Sequence, residues 1–414
     1  GLTEADSLLV CRLSRGCKPV LVNQDMCAAG SQGSSAASLL EEFDSILTES
    51  KLSVKEKDKR AWWTCRQQLD QRMQAVTEAM EETFLGGWKG MLLGARSSQS
   101  ERQALTLATE KLQTLVEAAC KKEVDPQLCQ CILESSLRLS KLQLNSALAS
   151  LTGLSPGSEH HASLVSSVKQ LVKDMPPATS REPVILILDK QIQHLPWETT
   201  PILRDNPVCR MPGLHFVLSQ LRAPTSPASS SGLDPSDAFF VLNPSNDLAN
   251  TQKTFQRWFE RDNGWKGVVA RPPTKEEYKS ALTDHHLFVF CGHGNGREFL
   301  TGDDIQRLTC RATSLLIGCS SGRLHVTGTQ EASGMVLNYL VAECPCLVAN
   351  LWDVTDRDID RFLEQLLRSW LAMRGSLLNG MAQARQACKL QHLIGCSPVV
   401  YGLPVRLRKN PSGV

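Results

Sequence analysis

An excess of charge of either sign is missing from this sequence. Its 45 Lys and Arg nearly balance its 43 Asp and Glu, leaving a net charge of +2. That balance gives no electrostatic case for nucleic acid or a membrane surface as the main partner, so charge recognition must be local. Long apolar runs are missing too. Stretches such as Val184 to Leu188 fall far short of the ~20 residues of a membrane-spanning helix, and no signal peptide is visible. The 15 cysteines lack the regular spacing of a small secreted disulfide scaffold. Several sit in apolar runs, such as Cys291 in LFVFC and Cys319 in LLIGC, where a thiol behaves as a small hydrophobe. A reducing compartment, cytosol or nucleus, is the expected setting. Paired C-x-x-C spacing is absent around Cys120, Cys129, Cys131, His160 and His161, and Cys344-Pro345-Cys346 is too tight for a zinc site. No metal or other cofactor is expected, and there is no internal repeat.

What remains is an ordinary globular composition, 42% hydrophobic and 21% charged over 414 residues, long enough for two or three domains. The chain opens Gly-Leu-Thr rather than at an initiator methionine, as a piece of a longer protein would. Residues 1–180 read as a mainly helical domain. Leu105, Ala108, Leu112, Leu115, Val116 and Ala119 recur at three- and four-residue steps, and Leu133, Leu137, Leu144, Leu148 and Leu151 continue the period. Asp125-Pro126 supplies a capping residue and a first-turn proline. Two Ser-rich stretches, Ala29 to Ser38 and Ala223 to Asp237, read as mobile loops.

Over residues 181–414 the pattern changes. Short β-branched or aromatic runs at 183–189, 238–243, 286–291, 313–319 and 346–352 alternate with helical candidates Leu248 to Glu260, Thr274 to Leu282 and Glu331 to Val341. Apolar strands alternating with helices predict an α/β domain with a largely parallel sheet covered by helices on both faces. A last helix carries Ile359, Phe362, Leu363, Leu366, Leu367 and Trp370 on one face.

In such sheets ligands gather beyond the carboxyl ends of the strands. Strand 286–291 runs into Gly292-His293-Gly294-Asn295-Gly296, and strand 313–317 into Gly318-Cys319-Ser320-Ser321-Gly322. Taken singly, a cysteine ending an apolar strand is core, and a GHGNG loop is a tight turn or a phosphate loop without its lysine. Taken together they suggest chemistry. The 26-residue step from His293 to Cys319 allows a crossover between parallel strands, which would lie ~4.8 Å apart if adjacent. A thiol of ordinary pKa near ~8.5 gains thiolate character beside an imidazole, and the imidazole can protonate a leaving amine. Flanking glycines let backbone approach a substrate. The N–H groups of Gly294 and Cys319 are natural oxyanion donors, a feature worth ~3 kcal/mol in other proteases. No residue that would orient His293 is visible.

The blocks FCGHGNGREFL, LLIGCSSG and NLWDVTDRDIDRF, in that order and spacing, resemble the separase signature. LPWE (195–198) and YGLPV (401–405) fit the same family, as do RAWWTCRQQLD and FLGGWKGMLLG in the helical part. The resemblance implies a caspase-like cysteine endopeptidase in which His293 and Cys319 form the catalytic dyad. It implies cleavage after an Arg with Glu three positions before it, in the kleisin subunit of cohesin, and securin as inhibitor and chaperone. It places the protein in cytoplasm and nucleus, on mitotic spindle and chromosomes. Arginine selectivity requires a carboxylate; Asp353 is the first choice, with Asp356 open to that role or to a helix start. Thr355 and Asp358 read as a capping-box-like pair there. Trp197 and Glu198 either line the substrate groove or brace the sheet edge, and Arg271 and Lys275 are weak candidates for the substrate's Glu. No Glu in the chain is followed three places later by Arg, so no strict self-cleavage site is present. The competing reading is a catalytically silent caspase-like module that binds without cutting.

Overall fold

The computed structural model describes residues 7–26, 35–223, 232–373 and 375–408. Most of the two Ser-rich stretches, residues 29–34 and 224–231, lies outside them. The chain divides into two compact units. One comprises Gly1–Ser45, Ala75–Val184 and Thr199–Asn206; the other comprises Ile46–Gln74, Ile185–Glu198 and Pro207–Val414. Residues 46–74 thus group with the sheet and not with the remainder of the helical part.

The first unit opens with an antiparallel hairpin that the helical periodicity of this region did not foretell: β1 (Ser7–Arg12) pairs with β2 (Val20–Asp25). Helices Gln99–Cys120, Pro126–Ser135, Lys141–Thr152 and Glu159–Asp174 surround a core that includes Leu105, Leu112, Val116, Ile132, Leu148 and Val168. Their starts follow from local chemistry. The Asp125 side chain accepts from Gln127 N with Pro126 in the first turn, and Ser140 forms a reciprocal capping box with Gln143. Two residues of the expected stripes face solvent, Leu115 on its helix and Leu137 in the short turn Ser136–Arg138 that breaks the helical period.

The second unit is built on an eight-stranded sheet. Its strands are β3 (Val184–Ile187), β4 (Val208–Met211), β5 (Ala238–Leu242), β6 (Lys266–Val269), β7 (Leu287–Cys291), β8 (Thr313–Leu316), β9 (Cys346–Asn350) and β10 (Pro398–Gly402). The order across the sheet is β3-β4-β10-β9-β8-β7-β5-β6. Pairing is parallel from β6 through β5, β7 and β8 to β9, and antiparallel only between β9 and β10 among the registered pairs. Every residue of β7, β8, β9 and β10 is buried. Since successive side chains point to opposite faces, both faces are covered there. The mixed α/β architecture with a mostly parallel sheet is the expected one.

Helices Ala249–Arg257, Lys275–Thr283 and Met335–Val341 form where expected, the second with Thr274 and Glu277 in a capping box. Helix Asp356–Met373 buries Ile359, Phe362, Leu363, Leu366, Leu367 and Trp370. A further helix, Leu377–Gln386, follows it. No helix of the described residues is long and apolar enough to cross a membrane.

Candidate active site

Two strand ends on one rim bring the His293 loop and the Cys319 turn together. β7 and β8 are parallel neighbours with Phe290 opposite Leu316, and the Ile317 N–H donates to the Phe290 carbonyl at 2.9 Å. Continuing that register by three residues sets His293 opposite Cys319. The contact at Gly318 is tighter than the register alone demands. A Cβ there would overlap the Gly294 carbonyl and stand 2.6 Å from the Gly292 carbonyl oxygen. The two residues flanking His293 therefore lie directly on the residue before Cys319, and only glycine permits that approach.

The Cys319 turn is tied to the end of β9. Ser320 takes a left-handed φ of 51° and donates its N–H to the Trp352 carbonyl at 3.2 Å. The Ser321 hydroxyl donates to Leu316 O (2.7 Å) and accepts from Asn350 N (3.0 Å), while the Asn350 amide donates to Gly318 O (3.0 Å). Tyr401 closes the turn by donating to Gly322 O at 3.1 Å. Cys319 is half-buried, and its thiol donates to the Val354 carbonyl at 3.3 Å. Burial pushes this thiol above its ordinary value, and the Asp353 and Asp356 carboxylates push it the same way. Among the described residues, neither the Gly294 nor the Cys319 N–H donates to a backbone carbonyl.

His293 has a partner. Its Nε2 lies 2.9 Å from Asp247 Oδ2, and both side chains are half-exposed. A carboxylate facing Nε2 holds the proton on that nitrogen and leaves Nδ1 with the lone pair. Asp247 is presented by the loop after β5 through Asn243, which is buried with φ 54°. Asn243 N–H donates to Cys291 O (2.8 Å), and its side-chain oxygen accepts from Asp247 N (2.9 Å) and Leu248 N (2.8 Å). The end of a third strand thus contributes to the same rim.

Asp353 follows β9 directly. Its Oδ1 accepts the Ser320 hydroxyl at 2.5 Å, and its Oδ2 lies 3.7 Å from Lys51 Nζ, each side chain about half exposed. Asp356 is exposed at the first position of its helix. Asp358 N–H donates to the Thr355 carbonyl at 3.1 Å, while its side chain bonds elsewhere. It is buried, and its carboxylate accepts from Lys389 N (2.9 Å), Leu390 N (3.2 Å) and Arg361 (2.5 Å). Trp197 and Glu198 are buried as well. Trp197 Nε1 donates to Ile192 O at 2.9 Å, and Glu198 holds Arg210 of β4 in a two-pronged pair at 2.5 and 2.6 Å. Of the two roles open to them, bracing the sheet is the one this geometry fits, since neither reaches solvent. Arg271 is paired with Glu277 and Lys275 with Asp304, both cations being more than half exposed. No cluster of three or more His, Cys, Asp or Glu able to hold a metal occurs among the described residues.

A family model described as "Separin, protease domain" matches residues 3–359. The chain belongs to the separin protease-domain family. Separin of Mus musculus is 40% identical over 413 residues, covering 98% of this chain and 19% of that protein. Separin of Emericella nidulans is 30% identical, covering 96% and 22%. The chain therefore spans about a fifth of the length of these relatives. In fold it matches the crystal structure of the Saccharomyces cerevisiae separase–securin complex at 2.6 Å, with a TM-score of 0.81 and 23% identity over 97% of this chain and 29% of that one. A second structure of that complex, at 3.0 Å, gives 0.76 at 24% identity, over 90% of this chain and 28% of that one.

Two residues of this separin-family site escaped the sequence reading, Asp247 and Lys51. Asp247 carried a signal: Asn243-Pro244-Ser245-Asn246-Asp247 is a turn between a strand and a helix on the same rim as His293. Lys51 carried none, since it ends a helix remote in sequence from Asp353.

Proposed function

We propose that this chain is a cysteine endopeptidase that cleaves after arginine in Glu-x-x-Arg sequences, with Cys319 as nucleophile and His293 as its acid–base partner. The observation that supports this best is the close seating of the Gly292–Gly294 backbone on Gly318, which joins the two catalytic loops on one rim. His293 Nδ1 takes the thiol proton, and the sulfur attacks the carbonyl carbon of the scissile bond. The N–H groups of Gly294 and Cys319, which donate to no backbone carbonyl, receive the developing oxyanion. The imidazolium then protonates the leaving amine, and water activated by the same imidazole releases the acyl group. Asp353, with Asp356 beside it, holds the arginine by a two-pronged charged contact.

The family relation extends the proposal to substrate and partner. The substrate class is the kleisin subunit of cohesin, cut to free sister chromatids. Securin, which forms the complex with the yeast protein, is the proposed inhibitor, occupying the groove as an uncleaved mimic. The proposed setting is cytoplasm and nucleus, at the mitotic spindle and chromosomes.

Turnover of a Glu-x-x-Arg reporter peptide tests the proposal. The chain should cleave it after Arg and spare the version with Ala for Glu. Cys319→Ser should lower turnover by at least about a thousandfold while retaining securin in a pull-down. A folded chain that retains securin yet cuts no reporter overturns the enzyme reading in favour of a binding module.

A further inference from the structure

The segment that would read arginine and the turn that would cut are hydrogen-bonded to one another through neighbouring residues. Asp353 and Val354 are consecutive, as are Cys319 and Ser320. The Cys319 thiol donates to the Val354 carbonyl at 3.3 Å, and the Ser320 hydroxyl donates to the Asp353 carboxylate at 2.5 Å. At rest, this arrangement favours the neutral thiol. Burial comes first, and the Asp353 and Asp356 carboxylates repel a thiolate; together they outweigh the Val354 and Cys319 backbone hydrogen bonds, which act the other way. Asp353 and Asp356, from the segment after β9, bear on the sulfur, as do the backbones of Val354 and Cys319; Lys51, from the end of helix Ala36–Leu52, is paired with Asp353, and His293 stands on the loop after β7. Lys51 is an incomplete counter-charge, half-exposed and at 3.7 Å from a single carboxylate oxygen.

We propose that a guanidinium docking on Asp353 and Asp356, displacing Lys51, converts Cys319 into its reactive thiolate, so that arginine is selected in the chemical step as well as in binding. The inference rests on the arginine-pocket reading above. In the activation step the S–H bond breaks, its proton forms an N–H bond at His293 Nδ1, and the products are a thiolate and an imidazolium. No electrons enter or leave the site. A guanidinium engages both carboxylate oxygens in a planar fork that an ammonium cannot match. It thereby removes the repulsion that keeps the proton on sulfur, and it does so only when the preferred residue is bound.

The test is alkylation of Cys319 by iodoacetamide across a pH series, read by mass spectrometry on the tryptic peptide Ala312–Arg323, in which Cys319 is the sole cysteine. Methylguanidine is the probe cation, with choline at equal ionic strength as control. Methylguanidine should lower the alkylation midpoint by about one pH unit and raise the rate at pH 7 about threefold, because lost nucleophilicity offsets part of the gain in thiolate. Asp353→Asn should reproduce that shift without the probe, should no longer respond to it, and should still lose cleavage of the Glu-x-x-Arg reporter. Lys51→Met should slow alkylation at rest about twofold and lower the KM for the reporter. If Asp353→Asn loses cleavage while its alkylation profile and that of the probed wild type match untreated wild type, the pocket stands and the activation is overturned. If Asp353→Asn cleaves at the wild-type rate, the pocket reading itself fails and takes the inference with it. Should Asp353→Asn not fold, the wild-type comparison with and without methylguanidine decides alone.

Discussion

Asp247 and Asp360 are two carboxylates whose surroundings give them opposite work. Asp247 is exposed and reaches His293 Nε2 at 2.9 Å. Such an exposed pair adds little stability, so its effect lies in fixing the tautomer and ring orientation. Asp247→Asn should lower kcat for the reporter by about ten- to a hundredfold with KM nearly unchanged, as steady-state kinetics will show. Asp360 is buried, accepts the Thr251 hydroxyl at 2.8 Å, and has its carboxyl pushed up to about 7, mainly by burial and further by Asp356. Its folded value lies above its unfolded value, so the folded state binds the proton more tightly. Ionising it therefore destabilises the fold progressively as pH rises from about 4 through about 7. Asp360→Asn has no such dependence. Its stability relative to wild type should grow by about 2 kcal/mol between pH 5 and pH 8 in urea denaturation; a constant difference would contradict the burial argument.

At the scale of elements, β5, β7, β8 and β9 were legible because each lies in a short, largely apolar run, as strands covered on both faces do. β4 and β6 were not. β4 carries Arg210 in the middle of Val-Cys-Arg-Met, and that arginine is buried only because Glu198 neutralises it from a distant turn. β6 is four residues with a glycine, packed against Phe240 so closely that a Cβ would meet its carbonyl oxygen at 2.5 Å. Pairing across the chain decided both, and local pattern does not display it. Glu198→Ala leaves a buried guanidinium uncompensated and should destabilise the sheet unit by about 3–5 kcal/mol in chemical denaturation. Gly318→Ala should cost about 1–3 kcal/mol through overpacking. It should also lower turnover at least about a hundredfold, because the added methyl displaces the His293 loop from the Cys319 turn.

At the scale of the whole molecule, the meeting of the His293 loop and the Cys319 turn on one rim was legible because glycines bracket two consecutive strand ends, a pattern with chemical meaning only in a parallel sheet. The supporting groups were less legible, since each depends on a fold-brought neighbour: Asp247 on the β5 loop, Val354 beneath the thiol, Lys51 beside Asp353. The same dependence separated Asp353 from Glu198, two acidic residues after apolar runs. One follows β9 at the rim, and the other faces inward onto an arginine.

The central claim is that Cys319, served by His293, is the nucleophile for substrates ending in arginine. A Glu-x-x-Arg peptide with an acyloxymethyl ketone in place of the scissile bond measures it directly, since thiolate attack expels the carboxylate and leaves a permanent thioether. The account predicts a single adduct on the peptide Ala312–Arg323, abolished in Cys319→Ser and strongly slowed in His293→Ala. An adduct on another cysteine, or equal labelling after His293 is removed, would contradict it.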